Sequence, residues 1–135
     1  MADAVLELAV VGAHLSGQPL NHQLTVLGAE LSLRGKTAPH YRLFALDTTP
    51  PKPGLLRVAE GGASIELEVW ALPEVGVGRF LAGVAAPLCI GQLELPDGRW
   101  VHGFLCEASA IARARDITHF GSWRAFLASL SAPRA

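Results

Sequence analysis

The segment VVGAHLSGQPLNHQL, Val10 to Leu24, leaves an apolar run and sets a histidine, His14, between Gly12 and Gly17. Glycines at a chain reversal let successive backbone N–H groups turn toward one point, and such a nest holds carboxylates well. An imidazole beside it titrates near neutrality, so it can hydrogen-bond an anion or carry a proton. The competing account is a histidine tied to a loop carbonyl for purely structural reasons.

Nothing else in the chain has a recognisable catalytic spacing. The five histidines, His14, His22, His40, His102 and His119, show no i, i+4 pair and no H-E-x-x-H, so no metal site is expected. G-x-S-x-G, a Walker loop and G-x-G-x-x-G are all missing, and no serine stands at a familiar spacing from a lysine or histidine. No cofactor is expected on these grounds. Any activity must come from a site that the standard motifs do not describe.

The elements that would position His14 can be read from periodicity and punctuation. Val5 to Val11 reads as a strand and Gly12 to Pro19 as a loop, with Asn21 placed to cap a short helical stretch through about Leu27 that Gly28 ends. AELSLRG and HYRLFAL read as two further strands. In the second, Tyr41, Leu43 and Ala45 alternate with Arg42, Phe44 and Leu46, so one or both faces are buried. The prolines of DTTPPKPG, Asp47 to Gly54, predict a stiff surface connection, with a lid or partner-binding rim as the alternative. LLRVAEGGASIELEVWAL predicts two strands joined by a hairpin turn at Gly61-Gly62. PEVGVGRFLAGV predicts a short helix, and Pro96-Asp97-Gly98 a second hairpin. At the C-terminal end Phe120, Trp123, Phe126, Leu127 and Leu130 fall at helical spacing, with Asp116 or Thr118 as the cap and 131–135 as a frayed tail. The sum is an α+β domain, mostly antiparallel sheet with a few short helices.

The chain has 135 residues, enough for one domain with a single core, and 1–135 is read as one domain. Half of its residues are hydrophobic and 17% are charged, which hints at self-association or docking through apolar surface. A net charge of -1 supplies no basic face for nucleic acid and no polybasic segment for a membrane surface, so neither partner is expected. The first residues, MADAVLELAVVGA, carry Asp3 and Glu7 and no positive region, unlike a signal peptide, and no apolar run is long enough to span a bilayer. A cytoplasmic location is expected. Cys89 and Cys106 are isolated and predicted to be buried thiols rather than a disulfide.

Taken in order, VGAHLSGQPLNHQL, KTAPHYRLFAL, PPKPGLLRV, IELEVWALP, APLCIGQLELPDGRWVHGFLCEA and DITHFGSWRAFL resemble the C-terminal domain of allophanate hydrolase, a branch of the gamma-glutamylcyclotransferase-like superfamily. The resemblance runs from about Leu6 to Leu127. It implies a small, mixed, barrel-like sheet with helices packed outside, whose first strand leads into a substrate loop. In the cyclotransferases that loop reads tyrosine, glycine, serine, asparagine and an apolar residue; the matching positions here are Val11, Gly12, Ala13, His14 and Leu15. Cyclotransferases also place a catalytic glutamate after the strand that here ends at Trp70-Ala71-Leu72. This chain has no carboxylate between Glu74 and Glu94, so gamma-glutamyl cyclisation would need another, such as Glu66, Glu68 or Glu107.

The allophanate branch implies a small dicarboxylate-like ligand, N-carboxycarbamate, broken down to ammonia and carbon dioxide. On that picture Gly12, Ala13 and Leu15 bind it through backbone N–H groups. His14 gives a proton to the leaving nitrogen or steadies the carboxylate, and Arg42 is a candidate counter-charge. The sequence carries none of the amidase signature. The resemblance therefore leaves open a free-standing enzyme, a partner of a separate amidase, or a non-catalytic module that docks on one.

Overall fold

The computed structural model describes residues 4–131. The expected α+β architecture is present, built on two sheets. In the five-stranded sheet the order is β2-β5-β1-β7-β6, with β1 Val5–Val10, β2 Glu30–Lys36, β5 Glu66–Pro73, β6 Leu88–Glu94 and β7 Trp100–Cys106. β1 runs antiparallel to β5 and parallel to β7, so the sheet is mixed. The second sheet, in the order β4-β3-β8, is antiparallel and comprises β3 Tyr41–Leu46, β4 Lys52–Arg57 and β8 Arg115–Asp116. The two sheets face one another without joining into a closed barrel.

The main core lies between the sheets and holds Leu8, Val10, Tyr41, Leu43, Leu55, Leu67, Val69 and Ile117. On β3 both faces are buried. Tyr41 and Leu43 enter this core, while Phe44 and Leu46 join Cys106 in a smaller cluster capped by Ile111 and Ala114. Three helices complete the fold: α1 His22–Thr25, α2 Glu74–Ala82, which packs against β1 and β5, and α3 Trp123–Ser131. From α3, Trp123 and Phe126 are buried, and Phe120 just before it packs on the same core, as the aromatic spacing predicts. Leu130 is exposed, and the remainder of the expected tail lies outside the described residues.

Three sequence expectations are corrected. The segments on either side of Gly61-Gly62 do not form a hairpin: β4 pairs with β3, from Tyr41↔Arg57 to Leu46↔Lys52, while β5 pairs with β1 and β2. The glycine pair instead serves a close crossing. A Cβ on Gly62 would sit 2.7 Å from the carbonyl carbon of His40, and Ala63 bridges to Tyr41. The proline-rich connection is shorter than expected, because Pro53 and Gly54 already lie in β4, where Pro53 opposes Ala45. Proline is tolerated there because β4 is an edge strand. The cap of α3 is neither Asp116 nor Thr118; Ser122 Oγ accepts from the Ala125 amide at 3.0 Å. Asp116 caps the turn one step earlier, taking the Thr118 amide at 2.9 Å. The hairpin at Pro96-Asp97-Gly98 is as expected, with Gly98 at φ +89° and Leu95 N bonded to Arg99 O at 2.8 Å.

Cys89 and Cys106 are free, the second buried. In the β6–β7 ladder Cys89 opposes Leu105 and Cys106 opposes Leu88. Neighbouring positions in a strand point to opposite faces, so the two sulfurs cannot meet without a register slip.

Candidate functional site

β1 sits in the middle of the main sheet and delivers the chain into a loop, residues 11–21, that is unusually enclosed: Val11, Gly12, Ala13, His14 and Leu15 are all buried. An enclosed loop must satisfy its own polar groups. It does so with Leu15 N to Gly12 O at 3.0 Å, Leu20 N to Ala13 O at 2.9 Å, and Asn21 Nδ2 to His14 O at 2.8 Å. Asn21 therefore spends its side chain on the His14 carbonyl and does not cap α1, which has no side-chain cap.

The loop is clamped from below by β5. Glu68 and Trp70 share one face of that strand, two residues apart. Glu68, with a side chain only 1% exposed, accepts the Ser16 amide at 2.7 Å and the Ser16 hydroxyl at 2.6 Å. Trp70 Nε1 donates to it at 3.2 Å, and Arg34 and Arg124 reach it at 3.3 Å each. Arg124 also donates to the Ser16 carbonyl at 2.7 Å, tying α3 to the loop. Burial alone would push the Glu68 pKa up. The Ser16 hydroxyl and amide, the Trp70 indole and Arg124 outweigh it and hold the carboxyl below its ordinary value.

His14 is 7% exposed, and its ring stacks on Phe104 at 4.8 Å between centroids and meets Phe80 edge-on at 5.4 Å. Nε2 lies 2.8 Å from Gln23 Oε1. A carboxamide oxygen only accepts, so Nε2 carries the proton and Nδ1 the lone pair. Nδ1 has no hydrogen-bond partner among the described residues, yet no enclosed side-chain nitrogen or oxygen there is left unpartnered. Nδ1 therefore reaches solvent. Burial pushes the His14 pKa down; the Gln23 bond opposes this, and the charges of Lys52 and His22 add to the lowering. The imidazole is neutral at pH 7.

The cleft beside it is lined by Val10, Val11, Gly12, Ala13, His14, Lys52, Pro53, Leu88 and Phe104. Its cavity is about 10 Å³, the room of a single water. Gly12 owes its place to the facing strand: a Cβ there would fall 2.3 Å from Pro53 Cδ. The amides of Gly12 and Ala13 donate to no acceptor among the described residues. The Leu15 amide is different from expectation, because it turns inward to Gly12 O and is not offered to a ligand.

Arg42 lies elsewhere. It binds Asp116 across the second sheet, Nη2 to Oδ2 at 2.7 Å, and donates to the Gly61 carbonyl. The cation at the His14 cleft is Lys52, which sequence reasoning passed over because it sits among prolines read as a surface connection. Its signal was the proline-rich segment's alternative reading as a rim. None of the three spare carboxylates lines the cleft. Glu66 pairs with Arg124 at 2.7 Å, Glu68 holds Ser16, and Glu107 opens a 3-10 turn on the surface. No group of three or more histidine, cysteine, aspartate or glutamate side chains that could hold a metal occurs among the described residues. No helix there is long and apolar enough to cross a membrane.

Comparison with known proteins identifies the family and the fold. The model of the family described as the allophanate hydrolase C-terminal domain matches residues 6–128. Urea amidolyase of Saccharomyces cerevisiae is 44% identical over 130 residues, covering 93% of this chain but 7% of that protein. In the solved structure of Kluyveromyces lactis allophanate hydrolase, 42% identity and a TM-score of 0.91 extend over 94% of this chain and 22% of that one. A uropathogenic E. coli-specific protein matches at 35% identity and a TM-score of 0.85, over 92% of this chain and 96% of its own. The curated relatives are thus far longer than this chain, whereas the bacterial structure is of similar length. The fold is the gamma-glutamylcyclotransferase-like α+β arrangement, and the chain belongs to the allophanate hydrolase C-terminal domain family.

Proposed function

We propose that the His14 cleft acts on N-carboxycarbamate, releasing ammonia and carbon dioxide. The observation that carries this reading is the His14 ring itself: enclosed by two aromatics, fixed at Nε2, unpaired at Nδ1, and lining one cleft with Lys52, Gly12 and Ala13. Lys52 and the amides of Gly12 and Ala13 attract a carboxylate. Nδ1 takes a proton from solvent and passes it to the substrate nitrogen as the C–N bond breaks, which expels carbon dioxide and leaves carbamate. A second proton delivered in the same way gives ammonia and a second carbon dioxide. An imidazole of lowered pKa is, once protonated, a stronger acid than an ordinary imidazolium, which suits this transfer. A one-water cavity requires the β3–β4 edge carrying Lys52 and Pro53 to give way as the substrate enters.

The test is ammonia release from N-carboxycarbamate generated in place by an amidase acting on allophanate. Wild type is expected to exceed the spontaneous rate, His14→Ala to match it, and Lys52→Gln to fall between. Undiminished release by His14→Ala refutes the proposal.

A second reading is favoured by one observation: in the urea amidolyases the matching segment is part of a much longer chain. We infer docking on an amidase through exposed apolar side chains such as Val75, 98% exposed, and Val26. Co-elution with an amidase that Val75→Asp abolishes supports it, and independent elution at micromolar concentrations counts against it.

A further inference from the structure

His14 lines one small cleft, and a larger cavity lies beyond its neighbours. Behind Gln23 and Phe80, which hold the ring, lies a second cavity of about 190 Å³ lined by Gln23, Val26, Leu27, Arg79, Phe80 and Gly83. Its walls have a definite chemistry. Val26, Leu27 and Phe80 supply an apolar floor, and no carboxylate is among the lining residues. Arg79, near the C-terminal end of α2, forms no ion pair among the described residues. Gln23 spends its oxygen on His14, so its amide NH2 is the end left to donate, and it has no acceptor among the described residues. Two donor groups, one of them a full positive charge, thus stand at an apolar surface with no carboxylate among its lining residues.

We propose that this cavity is a binding site for small monocarboxylates with a short apolar body. The carboxylate accepts from the Arg79 guanidinium and the Gln23 amide, and the hydrocarbon part covers Val26, Leu27 and Phe80. A guanidinium–carboxylate bond supplies direction, and displaced water from the apolar floor supplies the remainder. A dicarboxylate fits less well, because its second charge would lie on apolar side chains. The site is separate from the proposed reaction and does not depend on it.

Titration of the wild-type chain with propionate, followed by NMR, tests this without any turnover measurement. A saturable shift of the Gln23 side-chain NH2 and the Phe80 ring is expected, with the dissociation constant raised about tenfold or more in Arg79→Gln and unchanged in Lys52→Gln. Malonate is expected to bind this cavity more weakly than propionate does. Three results overturn the proposal: no saturable shift up to about 50 mM propionate, equal affinity in Arg79→Gln, or loss of affinity in Lys52→Gln, which would move the anion to the His14 cleft. Arg79 is exposed on α2, so its substitution leaves the core intact.

Discussion

Removing the Glu68 carboxylate tests how the His14 loop is held. In Glu68→Ala, the Ser16 amide, the Ser16 hydroxyl and the Trp70 indole lose their acceptor, and Arg124 loses one of its partners. A neutral donor bonded to a charged group contributes about 1.5–3 kcal/mol. Breaking a buried charged pair costs about 3–5 kcal/mol. Arg34, 68% exposed, adds little, and Arg124, 34% exposed, keeps its bonds to Glu66 and the Ser16 carbonyl, so about 3–5 kcal/mol is expected for the whole change. For a chain of this size that is a fall of about 10–20 °C in Tm. Glu68→Gln separates charge from shape. The carboxyl of the folded chain sits below its ordinary pKa, so wild type's advantage over Glu68→Gln is complete above about pH 4.5 and is lost as pH falls through the lowered folded value. Urea denaturation of the three proteins between pH 3 and 7 measures both effects. A loss under about 1 kcal/mol in Glu68→Ala, or an advantage over Glu68→Gln that survives acidification, refutes the clamp.

Other outcomes follow from particular contacts. Gly12→Ala forces its Cβ against the Pro53 ring, 2.3 Å away, and is expected to destabilise by about 1–3 kcal/mol in chemical denaturation. An NMR titration of the His14 ring is expected to give a midpoint below the ordinary 6.5, moving upward in Lys52→Gln; a midpoint at or above 6.5 in wild type contradicts the burial argument. Because that pKa is lowered, the neutral ring's contribution to stability is present above about pH 6.5 and shrinks as pH falls below it. Arg42→Gln is expected to leave unchanged the affinity of the His14 cleft for malonate, a stable dicarboxylate analogue of N-carboxycarbamate, while lowering Tm modestly, since Arg42 faces Asp116 and not the cleft. Thiol counting after unfolding without reductant is expected to find both Cys89 and Cys106 free.

Sequence alone determined the features that local chemistry dictates. β1, the turn at Gly98 and the aromatic stripe through Trp123 and Phe126 follow from alternation, turn residues and helical spacing, and each stands as read. The family was legible because six segments matched in order, and His14 was legible because a lone histidine in a glycine-bounded loop is chemically conspicuous. Which distant groups would meet that histidine was not legible. Lys52 and Pro53 reach the loop only because β4 pairs with β3 rather than with β5, a choice made by long-range pairing that no local turn signal encodes. The same choice took Arg42 to Asp116. Glu68 showed one sign in advance, a carboxylate on the same strand face as Trp70, but its role depends on Ser16 and Arg124, 52 residues before it and 56 after it. Periodicity places a side chain on a face; only the packed chain decides what lies across from it, because burial charges every enclosed polar group with finding a partner.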